Sequence, residues 1–148
     1  VTLVNARSIA HQRGIEVVES QSTRPRNFTS LISVKLHTSA GERWAEGAVF
    51  EPDEPRLVLL DSVAVEATLD GTVIVIKNTD QPGVIGDVGT VLGRRGINIA
   101  SFALGRRDTG AVGVVRVESD GVEDVVGADV LAELQRIPAV HDAQAVRL

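Results

Sequence analysis

The chain is 148 residues long and has a formal net charge of −5, which excludes a broad nucleic-acid surface because contacts to phosphates require clustered lysine and arginine. It contains no cysteine, so disulfides and thiolate metal sites are excluded and the reducing cytoplasm is the expected compartment. Polar residues or glycine interrupt every hydrophobic stretch before the roughly 20 residues that cross a bilayer, so we expect no membrane contact.

Residues 1–70 predict a small α+β domain. A short helix is expected over Val4–Arg13, ended by Gly14, and a strand over Gly14–Glu19. A polar loop at Ser20–Arg26 follows. Further strands are predicted at Ser30–His37, Arg43–Phe50, Arg56–Leu60 and Val63–Thr68. The chain starts with Val1 and lacks the pattern of a signal peptide, so we also expect it to be a piece of a longer protein.

Residues 71–148 predict a second domain with the order strand, helix, strand, strand, helix, strand. β-branched residues indicate buried strands, and apolar residues at helical spacing indicate amphipathic helices. The elements are predicted at Thr72–Asn78, Pro82–Arg95, Ile97–Leu104, Val112–Val117, Val125–Ile137 and Val140–Leu148. This order is the ferredoxin-like βαββαβ pattern, and the predicted fold class of the whole chain is α+β.

The predicted topology has a consequence for assembly. Right-handed crossovers place both helices on one face of a four-stranded antiparallel sheet and leave the other face bare. A bare apolar face or edge in a soluble protein is normally covered by a partner. The architecture therefore predicts self-association.

No catalytic set is evident in the sequence. The histidines His11, His37 and His141 lack metal-ligand spacing. The chain has no nucleophile elbow, no phosphate-binding loop and no dinucleotide-binding glycine motif. We therefore predict no catalytic residues, no metal site and no cofactor in this chain.

The segment from Asn78 to Val84 is the strongest candidate for binding, because it joins a strand end to a helix start. Free amides at a helix start favour a carboxylate, and Asp80 and Asn78 can accept from an ammonium group, so a zwitterion fits both halves. Asn98 begins the strand after the helix, and its amide could reach the same end of the sheet or the same site in a partner. The alternative is that Asp80 only caps the helix and Asn98 only satisfies a turn.

These residues closely resemble the ACT-domain signature of long bacterial phosphoglycerate dehydrogenases, and the first domain resembles the intervening domain of the same enzymes. The ACT likeness rests on Asn78–Gly86, Gly89 and Gly96–Ala100. The likeness to the intervening domain rests on Asn5-Ala6, Gly14–Val17, Gly47–Phe50 and Pro55–Val58.

The resemblance implies a function and a set of site residues. Members of that family oxidise 3-phosphoglycerate with NAD in serine synthesis, and L-serine inhibits them by binding between paired ACT domains. Asn78 would be a variable polar ligand, Asp80 a ligand of the serine amino group and Asn98 the strand-start asparagine that contacts serine. Amides near Gly83 and Val84 would meet the carboxylate. NAD would bind in parts of the parent enzyme that this chain lacks, so no activity is implied here.

The resemblance also leaves alternatives. The intervening domain of some members binds a substrate-like anion; Arg56 and Arg116 match two of its cationic positions, whereas Ala64 and Thr68 replace basic side chains. Our leading hypothesis is a regulatory, serine-binding part of phosphoglycerate dehydrogenase that forms a dimer or tetramer. The chain could instead be an oligomerisation module without a ligand, or the regulatory part of a serine dehydratase.

Overall fold

A computed structural model describes residues 1–2, 4–21, 30–50, 53–108, 110–118 and 125–148. The first half contains α1 (Ala6–Gln12), β1 (Leu31–Thr38), β2 (Gly41–Phe50), β3 (Glu54–Leu60) and β4 (Val63–Thr68). The second half contains β5 (Thr72–Asn78), α2 (Val84–Arg94), β6 (Ile99–Arg107), β7 (Gly110–Val117), α3 (Ala128–Leu134) and β8 (Val140–Arg147). The predicted α+β class and the βαββαβ order of the second half are confirmed.

The first sheet is an antiparallel meander in the order β1-β2-β3-β4. The predicted strand at Gly14–Glu19 is wrong, because this stretch follows α1 without pairing to any strand in the described part of the chain. Ile15 and Val17 stay about half exposed there. A strand is stabilised by the hydrogen bonds of a neighbour, which local alternation cannot supply. Most of the predicted loop at Ser20–Arg26 lies outside the described residues.

The second sheet has the order β6-β7-β5-β8, with β5 in the middle and β6 at one edge. Helices α2 and α3 cover one face. Their buried side chains, together with those of the sheet, form the main core: Ile74, Ile76, Val88, Leu92, Val115, Val117, Val130 and Leu134. Since β5 and β6 are both antiparallel to β7, they run parallel to each other, and Ile99 lies level with Thr72. This register decides which site residues can meet.

The opposite face of the second sheet is covered by the first sheet, so the prediction of a bare face is wrong. Side chains of β3 and β4 pack against those of β5 and β7 in one cluster: Leu57, Val63, Val65, Ala67, Val73, Val112 and Val114. Strand β4 alternates between buried and exposed residues, as expected for a strand with one face on a core. The two domains therefore share a hydrophobic core.

Polar contacts of the β3–β4 turn also join the domains beside this core. The Lys77 ammonium of β5 pairs with the Asp61 carboxylate in the β3–β4 turn. An Arg107 guanidinium nitrogen lies 3.4 Å from the Ser62 carbonyl oxygen of the same turn. Among the described residues, each helix is too short or too polar to cross a bilayer.

Candidate functional site

The loop between β5 and α2 is held by hydrogen bonds at Thr79, next to β5, whereas no side chain caps the start of α2 among the described residues. The Thr79 amide donates to the Ala139 carbonyl at 2.8 Å, and the Thr79 hydroxyl lies 2.9 Å from His141 Nε2. Gly83 immediately precedes α2 and has a φ of 95°, a left-handed conformation that glycine adopts without steric cost. The Thr79 contacts thus fix the start of the loop relative to β8.

Asp80 does not cap α2. Its carboxylate Oδ1 lies 3.3 Å from Nε of Arg106, at the end of β6, and its side chain is 41% exposed. The alternative that Asp80 only caps the helix is therefore not the observed arrangement. The amides near Gly83 and Val84 lie at the positive end of the helix dipole, where a carboxylate is favoured.

Asn78 lies deeper than its neighbours. It is 4% exposed, between Ala111 of β7 and Val140 of β8, and its Nδ2 donates to the Thr79 carbonyl at 2.8 Å. Within one chain, Asn78 therefore lies beneath the loop rather than on the open surface of the site.

Asn98 lies at the other end of the sheet. Its Nδ2 donates to the Glu118 carboxylate, and its carbonyl accepts from the Glu118 amide at 3.0 Å. Because Ile99 is level with Thr72, the length of β5 separates Asn98 from Asp80, roughly 20 Å at about 3.3 Å per residue. Within one chain the two residues therefore lie at opposite ends of the sheet, and of the two alternatives for Asn98, contact with the site of a partner stays a prediction.

An open cleft of about 560 Å³ borders Asp80. Its lining residues are Thr79, Asp80, Arg106, Arg107, Asp108 and Gly110. The arginines of the β6–β7 hairpin are not among the residues predicted from the sequence for this site. The signal that could have found them is the parallel alignment of β5 and β6, which puts the hairpin at the same end of the sheet as Asp80.

The arginines proposed for a second, anion-binding site already face carboxylates. Arg56 pairs with Glu54 at 2.8 Å and with Glu66 at 2.6 Å, and the hydrogen bond to Glu54 contributes most to raising the pKa of Arg56. Arg116 lies 3.7 Å from Asp70. An apolar groove of about 290 Å³ reaches Arg56 but not Arg116. Among the described residues, the lining of this groove includes Arg56 alone of the two arginines.

Comparison with known proteins identifies both halves. Residues 1–61 match the family model for the D-3-phosphoglycerate dehydrogenase intervening domain, and residues 72–139 match that for the ACT domain. The full chain is 32% identical to the D-3-phosphoglycerate dehydrogenases of Methanocaldococcus jannaschii and Archaeoglobus fulgidus, of which it covers 27% and 28%.

A third relative is the D-3-phosphoglycerate dehydrogenase of Synechocystis sp., 28% identical over the whole chain, which covers 26% of its length. The chain thus spans about a quarter of the length of these curated relatives. It contains a D-3-phosphoglycerate dehydrogenase intervening domain followed by an ACT domain, and the relatives that it matches are D-3-phosphoglycerate dehydrogenases.

Proposed function

We propose that this chain is the regulatory part of an NAD-dependent D-3-phosphoglycerate dehydrogenase and binds L-serine between the ACT domains of two copies. The observation that carries the proposal is the placement of Asp80 and Asn98 at opposite ends of one sheet. Two halves of a site at opposite ends of a protomer become one site when a two-fold axis relates two protomers.

The sheet order supports pairing through β6. This strand is an edge, so a second β6 can align with it in the antiparallel direction. The start of one β6 then lies beside the end of the other, which brings Asn98 of one copy to the end that carries Asp80 of the second. Pairing through β8 instead puts three strands between Asn98 and the seam. Two equivalent sites follow from the two-fold symmetry.

The chemistry of the combined site suits a small amino acid. The Asp80 carboxylate accepts from the ligand ammonium, and the amides near Gly83 and Val84 donate to its carboxylate. Asn98 of the partner offers an amide that both donates and accepts. Charge-assisted hydrogen bonds of this kind are the stronger ones in proteins. Serine is the proposed ligand because the relatives named above are D-3-phosphoglycerate dehydrogenases, which also favours this parent over a serine dehydratase.

Regulation follows from linkage. A ligand that contacts two chains binds the dimer more tightly than it binds the separate chains. Because coupling is reciprocal, serine raises the association constant of the dimer by the same factor by which dimerisation raises the affinity for serine. In the parent enzyme, the resulting shift in subunit orientation would slow oxidation of 3-phosphoglycerate.

Calorimetric titration with L-serine tests the site. Asp80→Asn and Asn98→Ala should each weaken binding by about tenfold or more, since each removes a hydrogen bond to a charged group. A matched control is Glu42→Gln on β2 of the first domain, which should bind as the original chain does.

Mixing the two weakened variants is the sharper experiment. A mixed dimer contains one intact site and one doubly altered site, so an equal mixture should regain about a quarter of the sites at full affinity. A folded dimer that gives no heat with millimolar serine, or a mixture that regains nothing, contradicts the proposal.

The second candidate is an oligomerisation module without a ligand. It is favoured by the partners that the site residues already have: Asp80 pairs with Arg106, and Asn98 donates to Glu118. In that case, sedimentation should show a dimer that is unchanged by serine and by both substitutions.

A further inference from the structure

We propose that Arg106 is a competing cation, which holds Asp80 in the free chain and must be displaced by the ammonium group of an incoming ligand. This inference rests on the proposed function, because it concerns the same carboxylate. It adds a residue that sets affinity and selectivity and that the sequence pattern of the site does not include.

The register of the sheet places Arg106 within reach of Asp80. Arg106 and Asn78 are both in register with Ala111 of β7, so they lie level with each other two strands apart, about 10 Å between backbones. Asp80 follows Asn78 by two residues. A long arginine side chain can span this distance, and its Nε lies 3.3 Å from Asp80 Oδ1.

The neighbouring arginine behaves differently. Arg107 lines the same cleft, but its guanidinium is directed to the Ser62 carbonyl of the first domain at 3.4 Å. Only Arg106 of this pair contacts the Asp80 carboxylate in the described part of the chain. The hairpin therefore supplies both the competing cation and a matched control.

Competition follows from electrostatics. A ligand ammonium and the Arg106 guanidinium repel each other when both approach one carboxylate, so part of the Asp80–Arg106 attraction is lost on binding. The pair is exposed, with 66% of the Arg106 side chain and 41% of the Asp80 side chain accessible, so its effect is modest and sensitive to salt.

Selectivity is the second consequence. A ligand without an ammonium group has nothing to exchange for Arg106 at Asp80. Competition therefore weakens binding of the amino acid but not of the 2-hydroxy acid of the same size, and Arg106→Gln should widen the preference of the site for the amino acid.

The test is calorimetry of the dimeric chain with L-serine at low salt, comparing the original chain with Arg106→Gln and Arg107→Gln. Both substitutions remove one charge from the same hairpin, but only the first frees Asp80. Arg106→Gln should bind serine about two- to fivefold more tightly, as expected for loss of an exposed ion pair. Arg107→Gln should change affinity less, and the gain should shrink towards none at about 1 M salt.

The outcomes separate the two proposals. If the original chain binds serine and Arg106→Gln binds it equally or less tightly, Arg106 does not compete and this inference is overturned, while the proposed function stands. If neither chain binds serine, both fail. If the original chain gives no measurable heat with serine and Arg106→Gln binds it, the proposed function and the competition by Arg106 are both supported.

Discussion

At the scale of single residues, Asp61 combines a left-handed backbone conformation with contacts to three other residues. It and Ser62 form the β3–β4 turn with φ of 47° and 72°, a left-handed conformation that aspartate tolerates better than most residues. Its carboxylate accepts from the Trp44 amide at 3.1 Å and from Arg43 Nε at 2.9 Å, and it pairs with Lys77 across the domain boundary. The side chain thus holds its own strained turn and joins both domains.

Acid should therefore weaken the protein through Asp61. Burial raises the pKa of this carboxyl, but the hydrogen bonds from Lys77, the Trp44 amide and Arg43 outweigh burial and hold the pKa below its ordinary value of 3.8. A group with a depressed folded pKa stabilises the fold fully at pH values above 3.8, and this contribution is lost as the pH falls through the folded pKa.

Asp61→Asn should lower the free energy of unfolding by about 1 to 3 kcal/mol at pH 7, the range for hydrogen bonds to charged groups. The difference between variant and original chain should shrink as the pH falls below 3.8. Urea unfolding at several pH values measures both effects. Asp70→Asn is the control, since its side chain is 74% exposed and its ion pair with Arg116 is long, at 3.7 Å. A difference that stays constant with pH contradicts the assignment.

The residues of the candidate site were predictable to different degrees. Asp80 was selected from the sequence because a strand end followed by a helix start is a local pattern. Arg106 was not, because its contact depends on the register of β6, β7 and β5, which connects residues far apart in the chain. Asn98 was selected, but its place at the far end of the sheet follows from the same register.

At the scale of elements, local periodicity predicted the second domain well. The predicted helix over Val125–Ile137 is shorter in the structure, Ala128–Leu134, because Gly127 before it is extended, with ψ of 172°. The strand expected at Gly14–Glu19 is absent from the described chain because nothing there pairs with it. Hydrophobic periodicity and composition are local properties of a segment. A strand forms only if a neighbouring strand supplies hydrogen bonds, which these local properties do not report.

The strand β6 is pressed against β4 at one glycine. A β-carbon at Gly105 would collide with the Ala64 carbonyl oxygen and would lie 2.9 Å from Cβ of Val65. Gly105→Ala should therefore destabilise the protein by about 1 to 3 kcal/mol, the usual cost of overpacking. Thermal unfolding measures the change.

Gly93→Ala gives the opposite expectation for the same chemical change. Gly93 lies within α2, and a β-carbon there meets no atom within 4 Å. Alanine is the better helix former by roughly 0.5 to 1 kcal/mol, so this variant should be stabilised. If both glycine variants change stability equally, the close contact between β4 and β6 is not as described.

At the scale of the whole molecule, two sheets share one layer of apolar side chains. The sequence showed that one face of the second sheet needs a cover, and we expected a second copy to supply it. The first domain supplies it instead, through Val63, Val65 and Ala67 of β4. The alternation of buried and exposed residues in β4 indicates that one face of the strand is apolar. It does not indicate which surface covers that face, since the hydrophobic effect is not directional.

The shared layer predicts that both domains lose stability together. Val65→Ala removes buried methyl groups from a side chain that is 4% exposed, at a cost of about 2 kcal/mol. Hydrogen exchange should show faster opening of β5 and β7 as well as of β3 and β4. Val34→Ala is the control, because Val34 is 61% exposed and should change stability by less than about 0.5 kcal/mol. Unchanged exchange in β5 and β7 contradicts the shared core.

Gly105 also bears on how subunits could turn. Strand β6 is the edge proposed to meet another copy, and at Gly105 it packs closely against Val63, Ala64 and Val65 of β4 in the first domain. We therefore expect a rotation of that edge to carry the first domain with it. The far side of the first domain would then move further than the residues near the two-fold axis, because displacement in a rotation grows with distance from the axis.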